Sequence, residues 1–204
     1  RRMRPGALVL TAGLGTRLRP LTWLRAKAAV PVNGETLARR VVAWLASRGV
    51  SDVVLNLHHH PATIAASVGD GEDLGARVRY SWEQPVLGSA GGPRHALPLI
   101  AGAPGPFLIV NGDTLTNVDL DALLRRHRDQ RALVTMALIP NPRPEQYGGV
   151  LVEGDRVAGF TRAGRSSRNF HFIGVQAAER EVFAGLADGV PAETVNQLYP
   201  ALLA

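Results

Sequence analysis

A glycine-rich segment and a single lysine bring together residue types that could bind phosphate. Residues 13–17 read Gly-Leu-Gly-Thr-Arg, and Lys27 lies ten residues beyond Arg17. Glycines let an anion come close to backbone N–H groups, and the planar fork of an arginine matches phosphate oxygens. Lys27 is the only lysine among 23 lysines and arginines, which indicates a position that requires a compact ammonium.

This loop differs from the two best-known phosphate-binding motifs. Leu18 stands where a dinucleotide-binding fingerprint has its third glycine, and no Gly-Lys-Ser/Thr follows as in a Walker loop. A dinucleotide-dependent oxidoreductase is therefore disfavoured. Two glycines alone are also compatible with a simple tight turn, and the evidence for an anion site comes from Arg17 and Lys27 beside them.

An aspartate follows a second apolar run further along the chain. Asp113 closes the sequence Asn-Gly-Asp directly after the run at 107–110 (FLIV). A carboxylate at the end of a buried strand suits Mg²⁺, which binds one or two carboxylates together with phosphate oxygens. The alternative is that Asp113 only starts a turn. Asp119 and Asp121 are assigned to the start of a helix, where carboxylates complement the helix dipole.

Composition limits the classes of protein to be considered. The chain of 204 residues is long enough for one domain with a full core, and it has no cysteine for disulfides, thiolate catalysis or zinc–thiolate sites. No apolar run approaches the roughly 18 residues of a membrane helix. The net charge of +6 comes from scattered arginines without interleaved aromatics. We therefore expect a cytoplasmic protein with no membrane or nucleic-acid partner.

Alternating apolar runs and helical patterns position these residues. Strands are predicted at 6–12, 52–57, 76–82 and 107–110, and helices at 35–48, 61–68, 91–100 and 119–131. Such alternation predicts an α/β fold, with a doubly wound and largely parallel sheet covered by helices on both faces.

The pattern changes after the apolar run at 132–139. Three prolines break the chain, and short strands are predicted at 149–152, 157–160 and 170–176 without helices between them. A final helix is predicted to begin near Ala192. We interpret the chain as a single domain, with an α/β core at about 6–140 and a smaller mixed β lobe at about 141–204.

Five motifs, in order, resemble those of the sugar-1-phosphate nucleotidylyltransferases. The resemblance runs from about residue 6 to the end of the sequence. The motifs are G-x-G-T-R-L-x-P-L-T followed by K-x-x-x-P-V within 10–32, G-D-G-x-x-x-G at 69–75, E-x-x-x-L-G-S-A-G-G at 83–92, N-G-D at 111–113 and Y-G at 147–148.

The resemblance implies a Rossmann-like core, a sugar-binding lobe and a role for each matching residue. Arg17 and Lys27 would be catalytic, and Asp113 would hold Mg²⁺. The implied nucleotide-binding residues are Ala12, Gly13, Gly15, Thr16, Arg17, Glu83 and Gly88. The implied sugar-phosphate-binding residues are Asn111, Tyr147, Gly148, Thr161 and Arg162.

The implied reaction joins a nucleoside triphosphate to a sugar-1-phosphate and releases pyrophosphate. A sugar phosphate is already anionic at neutral pH because its second pKa is about 6, so no general base is required. The Glu83 carboxylate could accept hydrogen bonds from guanine or from uracil. GTP with mannose-1-phosphate or the phosphate of a related sugar is the first expectation, and UTP with an amino-sugar phosphate is the alternative. A non-catalytic relative that binds nucleotide sugars is a third, and a homo-oligomer stays open.

Three departures from the family pattern bear on these expectations. Ala26 and Ala28 replace the prolines that usually flank the lysine, which predicts a less rigid loop. Thr161 replaces an acid, which leaves the acceptor sugar open. The family's second metal-binding aspartate belongs to a later W-x-D-x-G-T segment, and the given sequence ends at Ala204 before it. We therefore expect that the C-terminal end of the sugar lobe is missing.

The remaining candidates are assigned to structure. His58, His59 and His60 are adjacent in an extended segment, where successive side chains point to opposite faces and do not readily ligate one metal. A place at the rim of the substrate site is the alternative. The tryptophans are expected to pack in the core or in loops, with Trp23 the first exception; they are Trp23, Trp44 and Trp82.

Overall fold

A mixed sheet runs through the protein in the computed structural model, which describes residues 4–102, 105–165 and 169–203. In chain order the strands are β1 (Ala7–Leu10), β2 (Pro31–Val32), β3 (Glu35–Thr36), β4 (Asp52–Leu57), β5 (Arg77–Trp82), β6 (Pro106–Asn111), β7 (Val134–Pro140), β8 (Gly149–Glu153), β9 (Arg156–Thr161) and β10 (Phe170–Glu179). The helices are α1 (Leu37–Ser47), α2 (Pro61–Val68), α3 (Gly88–Ala96), α4 (Leu120–Asp129), α5 (Glu181–Ala184) and α6 (Tyr199–Leu202).

The N-terminal half of the sheet is parallel and has β1 near its centre. Its order is β5-β4-β1-β6, and β1 pairs in parallel with β4 on one side and with β6 on the other. The chain thus moves outward from β1 to β4 and β5, and then crosses back over β1 to reach β6. This reversal opens a crevice at the carboxyl ends of the strands, which is where α/β sheets bind ligands.

The C-terminal half continues the same sheet with antiparallel pairs. β10 pairs with β6, β7 and β8, and β8 pairs with β9. The three short strands predicted after the prolines are present, and β10 is longer than expected because it bridges the two halves. The α/β fold, with parallel strands first and a smaller mixed part after them, is confirmed.

Helices cover both faces because successive strand residues point to opposite sides. In β1, Ala7 and Val9 contribute to one core cluster and Leu8 to the other. The first cluster contains the buried faces of α1, α2 and α4, and the second contains those of α3, α5 and α6. Burial on both faces explains why β1, β6 and, apart from Asp52 and Asn56, β4 are largely apolar.

The starts of α2 and α4 agree with the prediction. Asp119 precedes α4, and its carboxylate accepts a hydrogen bond from the backbone N–H of Ala122 at 3.0 Å. Asp121 lies in the first turn of α4 and forms an ion pair with Arg4. The hydrogen bond from the Arg4 guanidinium lowers the pKa of the Asp121 carboxyl. Pro61 occupies the first turn of α2, as predicted.

Three predicted boundaries are wrong. The helix predicted at 35–48 begins at Leu37, because Thr36 closes a short hairpin and caps the helix with its hydroxyl. The helix predicted at 91–100 begins at Gly88 and ends at Ala96, before a 3₁₀ turn at Leu97–Leu99. The helix expected near Ala192 is a π-helical turn at Thr194–Leu198 that continues into α6.

The short helix α5 was not predicted from the sequence, which offers only a four-residue segment there. Among the described residues, no helix has both the length and the apolar character needed to cross a bilayer.

The aromatic pair on the second core face provides a test of this packing. Phe183 is fully buried, and its ring centroid lies 5.7 Å from that of Phe107 in an edge-to-face arrangement. We expect Phe183→Ala to lower the free energy of unfolding in denaturant by about 3–5 kcal/mol. Phe170→Ala, at an exposed position, should cost less than about 1 kcal/mol. Equal losses for the two variants would contradict this assignment of the core.

Candidate active site

A cleft of about 330 Å³ opens at the carboxyl ends of the parallel strands. It lies at the crevice that the reversal around β1 creates, and residues at or just after the carboxyl ends of β1, β4, β5 and β6 line its wall. The predicted residues that line it are Ala12, Gly13, Gly15, Thr16, Arg17, Lys27, Glu83, Gly88, Asn111 and Asp113. The fold therefore brings together every residue predicted to bind nucleotide or metal.

The glycine-rich loop turns sharply at Gly15. This residue has φ +61°, a left-handed conformation that favours glycine, and it leads into a 3₁₀ turn at Thr16–Leu18. A Cβ atom placed on Gly15 would lie 2.8 Å from the Thr22 side chain and 3.0 Å from Cβ of Lys27. The Thr22 hydroxyl also donates a hydrogen bond to the Gly15 carbonyl oxygen at 2.9 Å. Gly15 thus lets the loop pack closely against the segment that carries the lysine.

The lysine segment is held by burial of both neighbours of Lys27. Ala26 and Ala28 belong to the core, and the backbone N–H of Ala26 donates a hydrogen bond to the Thr63 hydroxyl at 3.0 Å. Packing against α2 therefore anchors the segment at the positions where the family has prolines. Small side chains suit these positions because the surrounding core encloses them almost completely.

Lys27 and Asp113 form an ion pair across the cleft. Both residues line the cleft. Because both side chains are partly buried, water screens their charges less than it screens those of a fully exposed pair. The pair joins the segment after β1 to the end of β6. It places the predicted reactive cation and the predicted metal-binding carboxylate in direct contact.

A buried amide–carboxylate pair forms the floor of the cleft. Asn56 in β4 accepts hydrogen bonds on Oδ1 from the backbone N–H groups of Thr11 at 2.7 Å and Ala12 at 3.4 Å. Its Nδ2 donates to Oε1 of Glu83 at 2.7 Å, and Oε2 of Glu83 accepts from the backbone N–H of Leu87 at 2.8 Å. The sequence interpretation missed Asn56. The available signal was an amide inside the otherwise apolar end of strand 52–57.

This arrangement changes what Glu83 can do. It was expected to accept hydrogen bonds from a nucleotide base, yet its two carboxylate oxygens already accept from Asn56 and Leu87. The residue is only 4% exposed at the cleft wall. Its observed contacts are therefore directed into the protein.

Four of the five residues predicted to bind the sugar phosphate lie outside the cleft wall. Asn111 lines the cleft, whereas Tyr147, Gly148, Thr161 and Arg162 do not. These four lie together where β8 begins and β9 ends, since Gly149 pairs with Thr161 and a Cβ on Gly148 would lie 2.6 Å from the Thr161 carbonyl oxygen. Their role in sugar binding stays a prediction.

The histidines have separate structural contacts. Nδ1 of His58 lies 3.0 Å from the Glu83 carbonyl oxygen, and Nε2 of His59 lies 2.7 Å from the Thr22 carbonyl oxygen. His60 has a left-handed backbone and precedes α2. Within the described ranges, no group of three or more His, Cys, Asp or Glu side chains could hold a metal ion.

The tryptophan prediction is correct for Trp44 and wrong for Trp82. Trp44 packs against the core, whereas Trp82 is 62% exposed as the last residue of β5 at the edge of the sheet. Trp23, the expected exception, is 63% exposed in a short turn after the glycine-rich loop. The side chains of Trp23 and Trp82 are therefore mostly exposed to solvent.

Comparison with known proteins identifies the family. The family model described as "Nucleotidyl transferase" matches residues 6–162, which include the glycine-rich loop, the lysine segment and the Asn-Gly-Asp turn. The chain belongs to the nucleotidyl transferase family. The resemblance stated from the sequence motifs is confirmed.

This chain resembles curated proteins that are named for different sugar phosphates. It is 34% identical to a mannose-1-phosphate guanylyltransferase of Mycobacterium tuberculosis, over 97% of this chain and 55% of the relative. It is 31% identical to an N-acetylmuramate alpha-1-phosphate uridylyltransferase of Neisseria meningitidis, over 96% of this chain and 83% of the relative. The chain thus spans only about half the length of the mycobacterial protein.

A solved structure supports the fold of this chain. HddC from Yersinia pseudotuberculosis, complexed with GMP-PN, superposes with a TM-score of 0.83 over 97% of this chain and 86% of that chain. The sequences are 21% identical, so this likeness concerns the fold alone.

Two glycines of the loop make a matched test of its geometry. We expect Gly15→Ala to lower the free energy of unfolding of the ligand-free protein by about 1–3 kcal/mol, because it combines a positive φ with close contacts. Gly13→Ala should change it by less than about 0.5 kcal/mol, since no atom lies within 4 Å of an added Cβ. Denaturant unfolding without nucleotide measures both. Equal stability of the two variants would contradict the assigned loop conformation.

Proposed function

We propose that this nucleotidyl transferase transfers a nucleotidyl group from a nucleoside triphosphate to a sugar-1-phosphate. The products are a nucleotide sugar and pyrophosphate. The observation that carries the proposal is the convergence of the glycine-rich loop, Arg17, Lys27 and Asp113 on one cleft. The curated relatives, named as guanylyl- and uridylyltransferases of sugar phosphates, support it.

The proposed reaction is an in-line displacement at the α-phosphorus. An oxygen of the sugar phosphate attacks, the new P–O bond forms, and the bond to the departing pyrophosphate breaks. The attacking oxygen is already anionic near neutral pH, so no base has to remove a proton. The barrier is the approach of two polyanions, and catalysis therefore depends on positioning and on neutralising charge.

The cations of the cleft supply these two effects. Backbone N–H groups of the loop 13–17 and the Arg17 guanidinium would hold the triphosphate and the departing pyrophosphate. Lys27 would leave its pair with Asp113 and contact the reacting phosphates. Its ammonium is compact and reaches Asp113 in the cleft, which suits a position between two substrates.

The donor set at Asp113 fits Mg²⁺. One carboxylate faces the cleft, and no cluster of three or more ligating side chains stands among the described residues. Mg²⁺ commonly uses one or two carboxylates and takes its other ligands from substrate phosphates and water. When bound there, the ion would supply positive charge to the phosphate oxygens. Asp113 would hold it from the end of β6, and release of Lys27 would make the carboxylate available.

The substrates are proposed from the names of the relatives, and their contacts are proposed from the residues predicted to bind the sugar phosphate. GTP with mannose-1-phosphate is the first assignment, because the mycobacterial relative is named for it. UTP with an amino-sugar phosphate is the second, because the Neisseria relative is named for an N-acetylmuramate phosphate and matches over more of its own length. Asn111, Tyr147, Gly148, Thr161 and Arg162 would contact the sugar phosphate. A cytoplasmic location, without a membrane or nucleic-acid partner, completes the proposal.

A panel of substrates tests the proposed reaction. We expect pyrophosphate release from one of GTP, UTP, ATP or dTTP only when a sugar-1-phosphate and Mg²⁺ are both present, and its loss after addition of EDTA. The sugars to test are mannose-, glucose-, N-acetylglucosamine- and N-acetylmuramate-1-phosphate. Tight binding of a nucleotide sugar without any release would instead favour a non-catalytic binding protein.

Substitution of the single lysine tests the need for an ammonium. We expect Lys27→Arg to lower kcat/KM by about 100-fold or more, because a guanidinium is larger and planar where a point charge is needed. Arg19→Lys, an exposed residue of the same segment, is the control and should leave kcat/KM unchanged. Turnover by Lys27→Arg at the rate of the unsubstituted protein would show that any cation serves.

A further inference from the structure

Asn56 occupies a position where a polar side chain requires an explanation. It lies next to the end of β4, it is 3% exposed, and its strand neighbours Leu55 and Leu57 belong to the core. It is aligned with Leu10 of β1 on one side and with Ser81 of β5 on the other. A buried amide is costly unless its donors and acceptor are satisfied, so its partners indicate what it does.

The hydrogen bonds determine how the Asn56 amide is oriented. Backbone N–H groups can only donate, so the atom that faces those of Thr11 and Ala12 must be the amide oxygen. The amide nitrogen therefore faces Glu83 and donates to Oε1 at 2.7 Å. The Thr11 hydroxyl also donates to the carbonyl oxygen of Asn56. Both the side chain and the backbone of Asn56 therefore hold the segment that enters the glycine-rich loop against β4.

Glu83 extends this contact to the other end of the cleft. Its second carboxylate oxygen accepts from the backbone N–H of Leu87, the residue before α3. Gly92 of α3 packs directly on the pair, since a Cβ there would lie 2.7 Å from Oε1 of Glu83 and 3.0 Å from Nδ2 of Asn56. The chain of contacts runs from the start of the glycine-rich loop to the start of α3 at Gly88.

We propose that Asn56 is a positioning residue that sets the spacing between the two ends of the nucleotide site. The Asn56 amide holds the start of the glycine-rich loop, and through Glu83 it also holds the segment at Leu87. This inference rests on the proposed function, since it assumes that a nucleoside triphosphate spans the cleft. It assigns Glu83 to this pair and not to recognition of the base. Base selectivity then comes from other groups at this end of the cleft, of which Val86 and Gly88 line the wall.

An exchange of the amide and the carboxylate tests the proposal. In Asn56→Asp, two carboxylates face each other and neither can donate a hydrogen bond. In Glu83→Gln, two amides face each other, and the single oxygen of the new amide cannot replace both acceptors that Asn56 and Leu87 use. In the double variant N56D/E83Q, the hydrogen bond between the two side chains is restored with its polarity reversed. The carboxylate then at position 56 accepts from Thr11, from Ala12 and from the amide then at position 83, whose oxygen accepts from Leu87.

The expected result is a rescue. Each single variant should raise the Kd for GTP or UTP, whichever the unsubstituted protein prefers, and the KM for it by at least about 10-fold, because a misplaced loop loses its aligned contacts. The double variant should return both values to within about 3-fold of the unsubstituted protein and should keep the same preference between GTP and UTP. A double variant no better than the worse single variant would overturn the proposal. A changed base preference would overturn it too, since Glu83 would then contact the base.

The pH dependence of the Asn56→Asp protein is a readout that lost packing alone would not give. Two facing carboxylates share one proton more readily than they both ionise, so its Kd for the nucleotide should recover as the pH falls from 8 to about 5.5. Besides Glu83 itself, a titratable side chain near the pair is that of His58, which contacts the Glu83 carbonyl oxygen. The other charged groups that line the cleft are Arg17, Lys27 and Asp113. These groups are also present in the double variant, apart from the substituted carboxylate, and that variant should show no such recovery.

A glycine pair covers the case in which the single variants fold poorly. Gly92→Ala leaves the chemistry of the pair unchanged but pushes on both side chains, while alanine favours the helix. It should raise the Kd for the nucleotide at least about 10-fold in a protein that remains folded by circular dichroism. Gly185→Ala is the control, since an added Cβ has no atom within 4 Å. Equal Kd values for the two would overturn the proposal.

The proposed function and this inference can fail separately. An unsubstituted protein that binds GTP or UTP in calorimetry but releases no pyrophosphate with any sugar phosphate would contradict the proposed reaction. The rescue in nucleotide Kd would still test Asn56. A fully active protein whose single variants bind nucleotide normally would contradict only the role of Asn56.

Discussion

The position of β1 between two parallel neighbours is the constraint on which the site depends. The connection from β1 leads to β4 on one side of β1, and the connection from β5 leads to β6 on the other side. The carboxyl end of β1 therefore lies in the crevice between these two connections. The glycine-rich loop leaves the sheet at this opening. The same strand ends also deliver Asn56, Glu83 and Asp113, which are far apart in sequence.

Within that opening, charge and burial are divided between two layers. The outer layer consists of Arg17, Lys27 and Asp113, which line the cleft. In the proposed reaction, these residues would contact phosphates or a metal ion. The inner layer, formed by Asn56 and Glu83, is almost completely buried and has its hydrogen bonds within the protein. A site that must neutralise a large negative charge benefits from a fixed inner layer, because positioned dipoles need no rearrangement when the ligand arrives.

The antiparallel half supports the cleft from a distance. β10 pairs with β6, the strand that ends at Asn111, and Gln176 of β10 accepts a hydrogen bond from the Tyr199 hydroxyl at 2.9 Å. Burial raises the pKa of the Tyr199 phenol, consistent with a neutral group that closes the second core face. The group at Tyr147 and Thr161 belongs to this half, outside the cleft wall.

The sequence by itself determined the fold class and the glycine-rich loop, and it singled out Lys27 and Asp113 as candidate site residues. These features are local: apolar periodicity, a glycine spacing and rare residue types are visible without knowing the neighbours. It misplaced the start of α3 at residue 91, missed Asn56 and misassigned Trp82. Only the tertiary structure decided these, because burial and hydrogen-bond partners depend on which strand ends meet. The contact of Asn56 with Glu83, 27 residues away, has no local signature.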